Sequence, residues 1–227
     1  MNDSCYACGQ KVSWEANHYR CGYCGLLRIK TYAESPLDGF MEDYGDAYKK
    51  KYEGYHLTDE GARLSLVRLG VLAQNWPPGT RVLDFGGGVG SFAKTACRNG
   101  YPCDVSDVNG LRMLPGIALV DIEDAFKGQY DVVTFFDLLE HLPDPRELLQ
   151  RFEKSGVQGF VIAAPDPERS LDLSLLPSWK HFRRNEHYFG FSPHSLQDIL
   201  TTRWKMVLQD NSEECIREDI TTTVWTR

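Results

Sequence analysis

Two C-x2-C pairs open the chain, Cys5-Tyr6-Ala7-Cys8-Gly9 and Cys21-Gly22-Tyr23-Cys24-Gly25, with twelve residues between Cys8 and Cys21. Two thiolates separated by two residues wrap one side of a tetrahedral Zn2+, and the glycine after each pair lets the backbone turn tightly around the ion. Two such knuckles on a short hairpin make a closed four-sulfur site. Cys5, Cys8, Cys21 and Cys24 are therefore the expected zinc ligands. Four protein sulfurs leave no open position, so the ion is expected to be structural. His18 is the alternative ligand in this stretch; a solvent-facing hairpin histidine is the plainer expectation. The other cysteines, Cys97, Cys103 and Cys215, are scattered.

A second constellation begins at Val82-Leu83-Asp84-Phe85-Gly86-Gly87-Gly88-Val89-Gly90, an acid at a strand end followed by a glycine-rich bend. The bend alone is unspecific, since dinucleotide sites share it. No Lys-Ser/Thr follows the glycines, which excludes a phosphate-gripping P-loop. Downstream lie Asp107, the stretch Asp137-Leu138-Leu139-Glu140-His141-Leu142-Pro143-Asp144-Pro145, and Arg183-Arg184-Asn185-Glu186-His187-Tyr188-Phe189.

The elements that must position these residues alternate. Gly61–Leu72, with Leu64, Leu66, Val67, Leu69 and Leu72, supplies a broad apolar helical face that Pro77-Pro78-Gly79 ends. Arg81–Phe85, Asp104–Val108, Ile117–Val120, Tyr130–Phe136 and Phe160–Ala164 have the β-branched and apolar content of strands, and Lys205–Gln209 and Ile220–Trp225 close the chain as strands. Helices are expected at Ser91–Asn99, Arg146–Lys154 and Pro193–Thr202, the last with Ser192 as N-cap. The expectation is an α/β, Rossmann-like, seven-stranded, mostly parallel sheet with helices on both faces, plus a small N-terminal zinc ribbon. The division is 1–38 for the ribbon and 39–227 for the α/β domain.

The chain of 227 residues, 42% hydrophobic and 25% charged, suits one sizeable core and a small module. No apolar run approaches the ~18–20 residues that cross a bilayer. The first residues have neither a basic end nor an apolar stretch, so no secretory leader is expected and the expected compartment is cytoplasmic. A net charge of −7 argues against sequence-independent nucleic-acid binding.

The glycine bend, Asp107 and above all the Asp137–Pro145 stretch resemble the class I S-adenosylmethionine-dependent methyltransferases, in the branch of the ubiquinone-biosynthesis O-methyltransferases. The resemblance covers about Tyr44 to Arg227. It implies a methyltransferase with S-adenosylmethionine as methyl donor. It further implies that Gly86, Gly88 and Gly90 let the backbone approach the methionine part of the cofactor, with Asp84 anchoring its ammonium end. Asp107 should accept the ribose hydroxyls, with Asp104 as the alternative. Asp121 and Ile122 should flank the adenine, and Asp137 and Leu138 should lie beneath the cofactor.

The segment Glu186-His187 with Phe191-Ser192 resembles the same branch, including deoxysugar C-methyltransferases that carry an N-terminal zinc domain. There the matching histidine is a proposed base and the preceding glutamate assists. His187 and Glu186 are thus catalytic candidates. His141 is a second candidate base, with a carboxylate–histidine metal site at that stretch as a further alternative; a reaction without a side-chain base also stays open. No counterpart of the C-terminal domain of the deoxysugar enzymes is expected, which makes that substrate less favoured.

Tyr44, Tyr48, Tyr52 and Tyr55 fall on one helical face. Tyr52 and Tyr55 match an entry helix that lids the cofactor in relatives. Lys180, Arg183 and Arg184 place three cations in the acceptor loop, and Lys49-Lys50-Lys51 lies in the entry segment. They suit an anionic acceptor such as a phosphorylated sugar or metabolite; a solvated basic loop is the alternative. Other classes to separate from O- or C-methylation of a small molecule are an RNA methyltransferase with a zinc ribbon, a non-catalytic zinc-ribbon adaptor and a dehydrogenase.

Overall fold

The structure, a computed structural model, describes residues 3–31, 54–108, 112–169, 176 and 178–227. In chain order its strands are β1 (His18–Arg20), β2 (Leu27–Ile29), β3 (Val82–Phe85), β4 (Cys103–Ser106), β5 (Val132–Phe136), β6 (Gly159–Pro165), β7 (Phe189–Gly190), β8 (Lys205–Asp210) and β9 (Ile220–Thr226). The helices are α1 (Asp59–Asn75), α2 (Ser91–Arg98), α3 (Ile122–Ala125), α4 (Pro145–Ser155) and α5 (Pro193–Ile199).

Six strands form the central sheet in the order β4-β3-β5-β6-β9-β8. The first four are mutually parallel, while β9 pairs antiparallel with β6 and β8. Every residue of β5 and β6 is buried, because helices cover both faces of a mostly parallel sheet. The expected third strand at Ile117–Val120 is reduced to one parallel bridge between Val105 and Leu119. A turn at Pro115-Gly116 and the N-cap at Asp121 close in on it from either side, leaving room for little more than that bridge.

Side-chain alternation sorts the core into two layers. Val82, Val105, Val132, Phe136 and Val224 pack against Leu69, Leu72, Phe92 and Ala96 of α1 and α2. Leu83, Val133, Phe135, Phe160 and Trp225 pack against Leu149 and Phe152 of α4 and Leu196 and Ile199 of α5. Helix α1 starts on the Thr58 cap, whose hydroxyl accepts the Gly61 N–H at 3.0 Å. Leu66, expected on its apolar face, is instead 57% exposed. Ser192 caps α5 by accepting the Ser195 N–H at 3.1 Å.

The N-terminal hairpin is built into this second layer. Cys5, Ala7, Tyr19, Cys21, Cys24 and Leu26 share one apolar cluster with Phe135, Phe189 and Phe191. Strand β2 pairs with both β1 and β7, so a three-stranded sheet joins the ribbon to the segment just after His187. The division expected at residues 38 and 39 lies outside the described residues, as do Tyr44, Tyr48, Tyr52 and Lys49–Lys51. Among the described residues no helix is long and apolar enough to cross a membrane.

Candidate active site

The strand order reverses at β3, whose neighbours are β4 and β5, and ligands of open α/β sheets bind outside the carboxyl ends of strands at such a point. A cavity of about 1140 Å3 opens there, and its wall runs from the glycine bend to the loop carrying His187.

At one end the backbone makes the site. Gly86 and Gly88 take φ of +80° and +58°, which suits glycine. A Cβ on Gly86 would lie 2.9 Å from Leu138 Cδ1, and one on Gly87 would lie 2.4 Å from Asp84 Oδ2. Asp84 is only 2% exposed and accepts the Thr134 hydroxyl at 2.8 Å; burial pushes its carboxyl up to about 6. Asp107 accepts the Gly88 N–H at 2.8 Å and lines the cavity. Asp104 does not line it, and instead accepts the Tyr130 hydroxyl at 2.9 Å. Ile122, Leu138 and Ser106 line the wall, and the buried Ser106 hydroxyl has no partner among the described residues.

Two cofactor candidates sit elsewhere. Asp121 is exposed, does not line the cavity, and caps α3 by accepting the Glu123 N–H at 2.8 Å. Gly90, at φ +85°, is the N-cap of α2 and stands against Ile117 rather than on the cavity wall. Tyr52 lies outside the described residues; its neighbour Tyr55 lines the cavity and donates to Glu60 at 3.2 Å.

The middle of the cavity holds an ion network that sequence inspection did not single out. Asp137, at φ +54°, bonds Arg68 at 2.7 Å and Arg217 at 2.8 Å, and Glu213 bonds both guanidiniums. Burial opposes ionisation of Asp137, but the two guanidiniums overcome it and hold the carboxyl below its usual range. A lone arginine on the apolar flank of α1 was the available sign of this network; its partners lie 69 and 145 residues away.

At the far end Glu140, His141, Lys180, His181, Arg183, Glu186 and His187 line the cavity. Glu140 is 1% exposed and burial pushes its carboxyl well up; its Oε2 has no hydrogen-bond partner among the described residues. His141 Nδ1 donates to the Glu186 carbonyl at 3.1 Å, and His187 Nδ1 donates to the His181 carbonyl at 2.9 Å. Burial pushes His141 down and His187 down to about 2, so both rings are neutral at pH 7. A general base works best with its pKa near the operating pH, and burial holds the His187 ring below it. Glu186, expected to assist, accepts from the Arg183 guanidinium at 3.0 Å. Arg184 is turned toward the ribbon, donating to the Lys30 carbonyl at 2.8 Å, and does not line the cavity.

The four ribbon sulfurs converge. Cys5 and Cys24 Sγ are 3.7 Å apart, Cys8 and Cys21 Sγ 3.6 Å, and all four lie within 4.8 Å of one another. A tetrahedron of Zn–S bonds of ~2.3 Å has edges of about 3.8 Å, so the set fits zinc. His18 is not among the converging ligands. Its ring is partly covered and meets Phe182 edge-on at 5.4 Å, where a solvent-facing side chain was expected.

The methyltransferase-domain family matches residues 51–203, which is more than half of the chain. The chain belongs to that family. The chain is 34% identical over 145 residues to the ubiquinone biosynthesis O-methyltransferase of Erwinia tasmaniensis, covering 54% of this chain and 60% of that protein. It is 31% identical over 107 residues to the enzyme of the same name from Escherichia coli O127:H6, covering 39% and 44%. The chain thus spans less than two thirds of these relatives' length.

Among solved structures it is similar to the magnesium protoporphyrin IX methyltransferase of Synechocystis PCC 6803 with bound SAH. The TM-score is 0.61 at 14% identity, over 84% of this chain and 99% of that one. It is also similar to the 1,6-didemethyltoxoflavin-N1-methyltransferase of Burkholderia thailandensis, with TM-score 0.60 at 13% identity over 96% and 99%. These likenesses show the fold: a Rossmann-like methyltransferase sheet, here with six strands.

Proposed function

We propose that this protein transfers a methyl group from S-adenosylmethionine to a hydroxyl or acidic carbon of a small, anionic molecule. One observation carries the reading: a single cavity runs from the Asp84–Gly88 bend and Asp107 to the Glu140–His141–His187 cluster, so cofactor and acceptor would share one enclosure.

The residues present suit the cofactor. Gly86 to Gly88 bring bare backbone to the cavity, and a buried carboxylate at Asp84 complements an ammonium group. Asp107 at the end of β4 is placed to take ribose hydroxyls, since a carboxylate accepts two hydrogen bonds side by side. Ile122 and Leu138 supply apolar wall. The bound cofactor supplies a sulfonium methyl, whose transfer is an in-line displacement. Lys180 and Arg183 among the lining residues favour an anionic acceptor, and Glu140 and His187 line the same part of the cavity. The names of the Erwinia and Escherichia relatives make O-methylation one candidate chemistry. In the ribbon, Cys5, Cys8, Cys21 and Cys24 are proposed to hold a structural zinc. The proposed division leaves residues 1–38 to the ribbon and 39–227 to the catalytic domain.

The test is calorimetry with S-adenosylhomocysteine, followed by incubation of the zinc-loaded protein with labelled methyl donor and a metabolite pool. Saturable binding and a labelled small molecule are expected. Neither binding nor label would remove the reading. Arg183→Ala should raise the acceptor KM without changing cofactor affinity; an unchanged KM removes the anionic-acceptor part.

A further inference from the structure

The central sheet ends on an open edge. Strand β8 is the last in the order β4-β3-β5-β6-β9-β8, and among the described residues it pairs with β9 alone. A sheet edge presents unpaired N–H and C=O groups that template a further strand. Lys205, Met206, Val207 and Gln209 are exposed on this edge, Met206 at 39% and Val207 at 50%. Apolar side chains beside unpaired backbone groups favour association.

The strand is also complementary to itself. It reads Lys205-Met206-Val207-Leu208-Gln209-Asp210, a cation at one end and an acid at the other. A two-fold axis between Val207 and Leu208 sets Lys205 opposite Asp210, Met206 opposite Gln209 and Val207 opposite Leu208, each pair occurring twice. Residues directly opposite in an antiparallel pair share a face of the sheet. In a regular strand Lys205 and Asp210, five positions apart, would point to opposite faces and could not meet. The bulge between Met206 and Leu208 removes that mismatch. Lys205, Leu208 and Asp210 stand opposite Thr226, Val224 and Thr222, on the face of α1 and α2, where Leu208 packs. Met206 and Gln209 stand opposite Trp225 and Thr223, on the other face, and line a groove with Pro193 and Gln197 of α5. Among the described residues no acid pairs with Lys205. The Asp210 carboxylate accepts the Ser212 N–H and hydroxyl at 2.8 and 2.9 Å, and no described cation pairs with it.

We propose that β8 is a homodimer edge, to which β8 of a second copy adds antiparallel about a two-fold axis. The two six-stranded sheets then join into one, with a Lys205–Asp210 pair at each end of the seam. In-register parallel pairing would set lysine against lysine and acid against acid, which disfavours it. None of residues 205–210 lines the cavity at the carboxyl ends of β3 and β4, so both copies keep their sites open.

The test is sedimentation velocity on the zinc-loaded full chain across a concentration series. A six-residue seam lies at the low end of interface sizes, so a dimer with a Kd on the order of micromolar is expected. Lys205→Glu and Asp210→Lys should each weaken association about tenfold or more, because both end pairs become like-charged. An equimolar mixture of the two variants should restore it, since each end of the mixed seam again holds one acid and one base. Circular dichroism and thermal melting check that the variants are folded. Hydrogen exchange supplies a readout on the unaltered chain: amides of 205–210 should gain protection as concentration rises through the Kd. A wild-type chain that stays monomeric to several hundred micromolar overturns the proposal, and the bulge and Lys205 then serve to keep the edge unpaired. A dimer that adds no protection at β8, or that is unchanged in the folded variants, places the interface elsewhere and overturns it too. Weakening in both variants without recovery on mixing overturns the antiparallel register.

Discussion

The two ends of the cavity are built by opposite means. At the cofactor end, backbone does most of the work: glycines at positive φ, an N–H from Gly88 to Asp107, and Asp84 held by Thr134 on the neighbouring strand. The parallel register of β3 with β4 and β5 suffices to assemble it. At the acceptor end, side chains converge from two segments far apart in the chain, 140–141 and 180–187. His141 follows β5, and His187 precedes β7, which pairs with the ribbon strand β2. Ser192 donates to the Cys24 carbonyl at 2.6 Å, and Arg146 donates to the Tyr6 and Ala7 carbonyls at 2.7 and 2.9 Å. The ribbon therefore braces the acceptor end through β7, Ser192 and Arg146, while none of its described residues lines the cavity.

That contrast makes the two ends separable. The largest effect should follow removal of the ribbon zinc, by Cys21→Ser or by chelation. Structural zinc contributes about 10 kcal/mol or more to such small modules. Loss of the β2–β7 pairing should then abolish methyl transfer while the S-adenosylhomocysteine Kd moves by no more than a few-fold. A parallel loss of cofactor affinity would show that the two ends are not independent.

Next comes the ion network between them. Asp137→Asn removes one partner of two buried guanidiniums and should destabilise the fold by about 3–5 kcal/mol, read from urea unfolding. Asp107→Ala should act on the cofactor end alone. Loss of charge-assisted hydrogen bonds worth ~1.5–3 kcal/mol weakens cofactor binding roughly 10- to 100-fold, with zinc content unchanged.

The pH dependence of cofactor affinity is a gentler test of the same end. Asp84 titrates near 6 in the unliganded protein, above the ordinary carboxylate range, because burial disfavours its charge. Below that pH it is protonated, and an ammonium ligand requires its ionised form. Affinity should fall about tenfold per pH unit below 6, with a proton released on binding. The ligand-free protein should also lose stability as pH rises from about 4 to 6, since the folded state binds more protons there. A flat affinity profile between pH 5 and 7 would place the ammonium elsewhere. The smallest effect belongs to Asp121→Ala, which should cost ~1 kcal/mol as a lost N-cap and leave cofactor affinity unchanged.

Local chemistry was legible before any folding. The C-x2-C pairs, the strand-then-glycine pattern and the alternating elements depend on residues close in sequence, and the sheet, its helices and the convergence of four sulfurs follow from them. The shortening of the expected third strand was not legible, because its length was cut by a turn and a cap that compete for the same few residues. Nor was the fate of individual carboxylates. Asp121 and Asp107 look alike in sequence, yet one caps a helix and the other faces the cavity.

The sequence by itself determined which groups exist and where the backbone must bend, since thiolate spacing and glycine conformations are properties of neighbouring residues. Tertiary structure decided which charges are neutralised and which are stranded. It turned Arg184 to the ribbon, gave Asp137 two guanidiniums, and buried Glu140 near two histidines with no hydrogen-bond partner for its Oε2 among the described residues. The reason is physical: charge state depends on burial and on partners within a few ångströms, and those partners lie tens of residues apart along the chain.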